Sequence, residues 1–592
     1  MSLTTQSAVT RRLVVSPGGV PSASSPVRAT TAAVSAVLRA FGRSPADLPP
    51  RTVVYVGATA PDPALLPEHE GFAVRTAASP GRALRLAHQE LHDGTADFAM
   101  VAAFGEPAEG AITVYAVRRA AEAVADAENV LGLLGVDHPD GSDPFAPVAL
   151  RPLRYGRRDP EPHTDRLLLW SGDSPEEEER VRGELAALLD SAGPGAFASL
   201  PSVWPCGRPS GAVRAAAVGS AETLPRSLRK ARTVRGGRPR PVALLLPGQG
   251  SQHTGMGRGL YGRHPVFSSA VDAVLAHWGE EGDRIRADWL SDGEPAIPVD
   301  DVRRAQPLLF AMDYALAKVV LSWGVRPVAL LGHSAGELVA ATLSGVVPLA
   351  DAVSMVRARV RAAVRIPAGG MLAVAAEEGR LRPYLRGDVG IAAVNANQQV
   401  MLAGSADELQ RTGERLRADG FTVVTVPATS PFHSPAMAPA SDEVERDYLG
   451  LSFREPALPL YSGYTGHLMT AEDAHSARFW ARQITDTVYF RDALEELLAA
   501  DDVLLVEAGP RQTLTAFARR HRAVRIGASA ALALSPARAG DPEAERGALL
   551  AAAARLWEEG HELDDAALAD LWHWTGPGRE AAVPAASAPV TA

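Results

Sequence analysis

A single cysteine, Cys206, stands in the 592 residues, so an intrachain disulfide and a cysteine-built zinc site are both excluded. Cys206 lies in "VWPCGRPSG" with no neighbouring histidine, and reads as an incidental thiol in a Pro/Gly-rich stretch. Aromatic residues make up 6% of the chain. No run of 18 apolar residues occurs, so no membrane span is expected. The first residues carry two arginines but lack the apolar stretch of a secretory signal, so a cytoplasmic setting is the expectation. Basic residues do not predominate either: 59 Lys and Arg face 69 Asp and Glu, a formal net charge of −10. That balance argues against nucleic acid or an anionic membrane as partner. It leaves room for a local basic patch that would meet a small acidic ligand or an acidic carrier.

What is present is a soluble-type composition, 46% hydrophobic and 22% charged, in a chain long enough for several domains. Residues 1–30, rich in Ser, Thr, Val and Pro, and residues 576–592 read as flexible tails. Residues 31–160 alternate helical spacing ("AAVSAVLRAFG", "PGRALRLAHQELHDG") with β-branched runs ("RTVVYVGA", "ADFAMVAAF"), the pattern of an α/β layer. Residues 161–240 hold a strand, "RLLLWS", and an acidic helix start, "DSPEEEERVRG", before a Pro/Gly/Arg-rich joint, and read as a structured linker. Residues 241–575 carry buried strands at "PVALLLPG", "RPVALLGH" and "DVLLVEAGP". Inside them, 368–429 follow the order βαββαβ, which predicts a ferredoxin-like insert.

"LLGHSAGELVAA", Leu330 to Ala341, fits G-x-S-x-G between a buried strand and a helix-patterned segment. That context suits a nucleophile elbow with Ser334 at its apex, the alternative being a tight turn whose serine caps the helix. A serine nucleophile needs a base. His433 in "TSPFHSPAM", past the last strand of the insert, is the best placed of 15 histidines, although such a residue is often plain loop packing. His333 adjoins the serine and should point elsewhere. "PGQGSQH" could lend a backbone N–H to an oxyanion, beside that of Ala335. It also resembles a dinucleotide-binding turn, a poor fit because His253 stands where the third glycine belongs.

"GQGSQ", "GHSAGE", a downstream arginine, "SPFHS" and "VEAGP", in this order, resemble the acyltransferase domains of polyketide and fatty acid synthases. These are the malonyl-CoA:acyl carrier protein transacylase family. The resemblance covers about residues 241–575 and implies an α/β-hydrolase-like core with the ferredoxin-like insert. It implies Ser334 as nucleophile and His433 as base, with Gln483 orienting the histidine through a backbone carbonyl. Gln249 and Ala335 would be the oxyanion donors, with Phe432 and Asn395 in the substrate pocket. Arg359, 25 residues after Ser334, would hold a malonyl-type carboxylate through two parallel N–H···O bonds. Alone, "RARVRAAVR" reads as a solvated helix face. No metal and no bound cofactor is implied. The implied substrates are malonyl-CoA, or a related acyl-CoA, and a phosphopantetheinylated acyl carrier protein. Implied partners are that carrier and separate polyketide synthase proteins, the chain acting in trans. Phe432 favours malonyl over branched units. Ser430, Pro431 and Ala335 depart from the common family pattern and leave the acyl unit open. Residues 31–160 resemble a truncated ketosynthase with Ala78 at the cysteine position, an α/β remnant without thioester chemistry. Two rival functions stand beside this one: an acyl hydrolase that clears carriers, and a non-catalytic docking protein.

Overall fold

The computed structural model describes strands at 8–15, 52–57, 72–77, 98–104, 112–119 and 133–134, then residues 165–199, 203–206, 212–235, 237–426, 428–538, 542–568 and 571. The chain divides into two compact units, Met1–Arg238 with Ala554–Gly560, and Pro239–Ala553 with His561–Ala592.

The second unit is an α/β body around a parallel sheet. Strand β1 (Val242–Leu246) is apolar at every position and wholly buried, as a strand covered on both faces must be. Helix α1 (Val302–Ser322) follows, capped by the Asp301 carboxylate, which accepts from the Arg303 amide. Strand β2 (Pro327–Gly332) leads straight into α2 (Gly336–Leu343), and α3 (Leu349–Arg365) comes next. A smaller antiparallel sheet then interrupts the body. Its strands are β3 (Gly369–Val374), β4 (Gly390–Ala396), β5 (Gln399–Ser405) and, after helix α4 (Ala406–Ala418), β6 (Val423–Val426). Their order is β4-β5-β3-β6. The helix read from "EGRLRPYLRG" is one turn, Glu378–Leu381, running into a 3-10 turn at Arg382–Tyr384. Pro383 removes an N–H and ends regular helix there.

The chain returns through α5 (Ala438–Tyr448), the short strand β7 (Leu460–Tyr461), α6 (Ala477–Arg482), β8 (Leu504–Glu507), α7 (Thr513–Ala518) and β9 (Ala530–Ala533). The large sheet has the order β7-β2-β1-β8-β9, every neighbour parallel. On one face, Ala243, Leu245, Ala329, Leu331 and Leu505 pack against Phe490, Leu494 and Leu497. Each fully buried leucine or phenylalanine contributes roughly 1.5–3 kcal/mol. The three strands read from the sequence are the sheet's centre; β7 and β9 are short edges without a period of their own.

In the first unit, a six-stranded mixed sheet has the order Phe72–Ala77, Thr52–Gly57, Phe98–Phe104, Ile112–Arg119, Ala8–Val15, Leu133–Leu134. Ala8–Val15 pairs antiparallel with Ile112–Arg119, so this part of the 1–30 segment is not a tail. Composition averaged over 30 residues hid a β-branched run, "AVTRRLVV". A four-stranded sheet places Arg166–Gly172 between Val213–Gly219 and Val203–Cys206, with helix Pro175–Ser199 behind it in sequence. "VWPC" is therefore an edge strand rather than a loop, and the edge tolerates Pro205. Ala78, the two helices read within 31–160 and the 576–592 tail lie outside the described residues. Among the described residues no helix is long and apolar enough to cross a membrane, and no group of three or more His, Cys, Asp or Glu is placed to hold a metal.

Candidate active site

Ser334 occupies the turn between β2 and α2 with φ of 53°, a left-handed backbone that costs a non-glycine residue about 1–2 kcal/mol. Packing holds it there. A Cβ at Gly336 would lie 2.1 Å from the Leu246 carbonyl oxygen, and one at Gly332 would lie 2.3 Å from Glu337 Cα. Only glycine lets the elbow sit this close to the end of β1. Ala335 is buried and forms the N-cap position of α2.

His433 also has a left-handed backbone, φ 63°, in the loop after β6. Its amide donates to the Ile484 carbonyl at 2.7 Å, and Ser434 Oγ donates to the Pro431 carbonyl at 2.6 Å, which pins the "SPFHS" turn. Ser334 Oγ and His433 Nε2 are 2.6 Å apart. His433 Nδ1 lies 3.0 Å from the Asp486 carbonyl. A carbonyl only accepts, so Nδ1 carries the proton and Nε2 accepts from the serine hydroxyl. Burial first, then the nearby His333 and Arg359, lower the His433 pKa to about 3, against the Asp486 and Gln483 carbonyls that favour the charged ring. The ring is thus neutral at physiological pH, with its Nε2 lone pair free to accept a proton. The carbonyl at hydrogen-bond distance is that of Asp486, and the Gln483 carbonyl, which the resemblance implied, also acts on the ring. Gln483 sits at the end of α6, one turn earlier, and engages its side chain as well.

Gln249 follows β1 and lines a cavity of about 200 Å³ together with Ser334, His433, Asn395, Phe432 and Met401. Gln249 Oε1 accepts from Gln306 Nε2 on α1 at 3.0 Å, and Gln249 Nε2 is buried without a partner. His333 does not point away: it lines the same cavity and its Nε2 is 2.8 Å from Asn395 Oδ1 on β4. Phe432 is buried, its ring 6.3 Å from that of His433. The far wall is apolar, from Met371 and Ala373 of β3, Met401 of β5 and Phe517 of α7.

Arg359 lies on the buried stripe of α3 with Ala352, Val356 and Ala363, 3% exposed, while Arg361 and Arg365 on the outer face pair with Asp447 and Glu443. Three of its five N–H groups are engaged: Nε donates to the Tyr448 hydroxyl (3.1 Å), Nη2 to the Trp480 carbonyl (3.0 Å) and to Gln483 Oε1 (2.7 Å). The free pair is on Nη1. A fork across two nitrogens, as the sequence suggested, would therefore have to displace one of these partners; Nη1 alone offers a single-nitrogen contact. Residues to which the sequence reading gave no role complete the site. Glu337, the second residue of α2, is fully buried and accepts from Ser462 Oγ (2.7 Å), the Gly463 amide (2.9 Å) and Gln483 Nε2 (3.1 Å). Tyr464 packs its ring 5.9 Å from that of His433. A serine–histidine pair on a strained elbow, beside a cavity with a buried guanidinium nearby, is built for acyl transfer through a serine ester.

Residues 244–538 match the family described as acyl transferase domain. Over 279 residues, 46% of this chain, the sequence is 38% identical to the phenolphthiocerol synthesis polyketide synthase type I Pks15/1 of Mycobacterium marinum, covering 13% of that protein. Over 330 residues, 55% of this chain, it is 34% identical to the spectinabilin polyketide synthase system protein NorB of Streptomyces orinoci, covering 15% of it. The chain thus spans only a small part of the length of either relative. The crystal structure of the acyl transferase domain of SpnD in complex with 2-(pent-4-yn-1-yl)malonyl superposes with a TM-score of 0.57 at 28% identity, over 69% of this chain and 98% of that one. The acyltransferase domain from the second module of the salinomycin polyketide synthase gives 0.55 at 30% identity, over 67% of this chain and 94% of that one. Residues 244–538 belong to the acyl transferase domain family, in the form that polyketide synthases carry.

Proposed function

We propose that the protein transfers a malonyl or related dicarboxylic acyl unit from CoA to the phosphopantetheine thiol of an acyl carrier protein, by way of an ester on Ser334. The observation that carries this reading is the 2.6 Å contact of Ser334 Oγ with His433 Nε2 at the cavity wall. The serine hydroxyl gives its proton to Nε2 as its oxygen attacks the thioester carbonyl. Backbone N–H groups of Gln249 and Ala335 receive the oxyanion. The C–S bond then breaks, and the imidazolium returns the proton to the CoA thiolate. The carrier thiol reverses these steps and leaves Ser334 free. Arg359 receives the acyl carboxylate on Nη1. Phe432 and Asn395 shape the pocket around the acyl group.

Transfer runs in trans, to a carrier on a separate polypeptide of a polyketide synthase. An acidic partner is supported by Arg519, Arg520, Arg522 and Arg525, exposed just beyond Phe517 on a chain of net charge −10. Arg520 itself donates to Gln399, which lines the cavity. We read the β3–β6 unit as the ferredoxin-like insert of an α/β-hydrolase-like core, supported by its strand order. Residues 31–160 we read as a ketosynthase remnant.

The test supplies malonyl-CoA and a phosphopantetheinylated carrier and weighs carrier acylation against free acid. Carrier acylation should dominate. Arg359→Ala should cost malonyl transfer at least ten times more than acetyl transfer, since a charged hydrogen bond is worth about 1.5–3 kcal/mol. Free acid in excess would indicate a hydrolase, and equal losses would remove Arg359 from substrate recognition.

A further inference from the structure

We propose that Glu337 sets the charge Arg359 offers to an incoming acyl carboxylate, and so tunes the preference for acidic over neutral acyl units. This rests on the reading that Arg359 receives that carboxylate. The connection is a directed chain through one amide. Arg359 Nη2 donates to Gln483 Oε1 at 2.7 Å, and Gln483 Nε2 donates to Glu337 Oε1 at 3.1 Å. A guanidinium has no acceptor, so the Gln483 oxygen must face Arg359 and its nitrogen must face Glu337. All three links are buried, with exposures of 3%, 1% and 0% for Arg359, Gln483 and Glu337. Water cannot screen them, and charge must be balanced locally.

The charge count then decides binding. With Glu337 ionised, it and Arg359 sum to zero, and an arriving carboxylate leaves a buried net negative charge. With Glu337 protonated, the guanidinium is uncompensated and the carboxylate neutralises it. Ser462 is the partner able to take the Glu337 proton, since its hydroxyl can turn to accept, whereas the Gly463 amide and the Gln483 nitrogen only donate. Burial raises the Glu337 pKa to about 8, against the lowering pull of Ser462, Gly463, Arg359 and Gln483. Below that pH Glu337 is neutral and Arg359 is fully available; above it the two neutralise each other.

The other groups that face this cluster hold their charge across that range. His433 is lowered to about 3 and His333 is lowered by burial, so both are neutral. Tyr448, on Arg359 Nε, and Tyr464, beside His433, are both raised by burial and stay neutral. The Asp486 carboxylate accepts from Arg482.

KM and kcat for malonyl-CoA and acetyl-CoA, in transfer to a phosphopantetheinylated carrier from pH 6 to 9.5, test this. In the wild-type protein the malonyl KM should climb above pH 8, approaching tenfold per unit, while the acetyl KM stays level. Glu337→Gln should remove the climb. A climb of the same size for acetyl-CoA, or one that persists in Glu337→Gln, would overturn the proposal. The wild-type comparison stands even if that variant fails to fold, and Gln483→Met, which cuts the chain and keeps both charges, should weaken the climb. Arg359→Ala separates the two levels of the argument: equal losses with both substrates sink the recognition role itself, whereas a selective loss with no climb sinks only the role of Glu337.

Discussion

At the residue scale, the elbow depends on atoms that are absent. Gly336→Ala would bring a Cβ to within 2.1 Å of the Leu246 oxygen, and both partners are backbone. The turn has to move off β1, which should cost about 1–3 kcal/mol and lower acyl-enzyme formation at least tenfold. Thermal unfolding and single-turnover acylation check this; unchanged values in both would show that the elbow does not need its close packing. Ser334, the glycines and His433 were legible because the motif order is specific. Glu337 stands in the same "GHSAGE" stretch and was passed over. A glutamate in the first turn of a helix ordinarily faces solvent at the positive end. Here its partners, Ser462 and Gly463, lie over 120 residues away in sequence. The Asp486 carbonyl was likewise invisible, because backbone acceptors leave no trace in side-chain identity.

At the element scale, the central strands announced themselves as continuous apolar runs, whereas α1 was passed over and is buried along most of its length. Of its buried polar side chains, Arg304 and Gln306 have hydrogen-bond partners and Asp313 has none. That carboxyl is fully buried, neither oxygen has a hydrogen bond, and burial together with Glu507 pushes its pKa well above the ordinary 3.8. The folded state therefore holds a proton that the unfolded chain releases above about pH 4. Its contribution to stability declines as pH rises from there to the folded pKa. Asp313→Asn removes this linkage, and should stabilise the protein more at pH 8 than at pH 5. Denaturant unfolding at the two values checks it; an equal effect at both would mean that Asp313 is ionised in the fold. The edges β7 and β9 escaped the sequence reading because two and four residues carry no period.

For the whole molecule, the sequence reading separated a chemistry-bearing second half from a different first half; one division between the compact units falls between Arg238 and Pro239, and Ala554–Gly560 of the second half belong to the first unit. What averaging over long windows missed was short order inside the first unit, the strands Ala8–Val15 and Val203–Cys206. Which N–H groups of Arg359 are engaged was also beyond reach of the sequence, because their partners Tyr448, Trp480 and Gln483 lie 89 to 124 residues away. The central claim concerns the intact chain: one serine carries the acyl group. Intact-mass spectrometry of the protein after incubation with malonyl-CoA tests it most directly. The wild-type chain should gain the mass of one malonyl group and lose it to added carrier, and Ser334→Ala should gain nothing. A malonyl adduct that persists on the Ser334→Ala chain would contradict the account and place the nucleophile elsewhere.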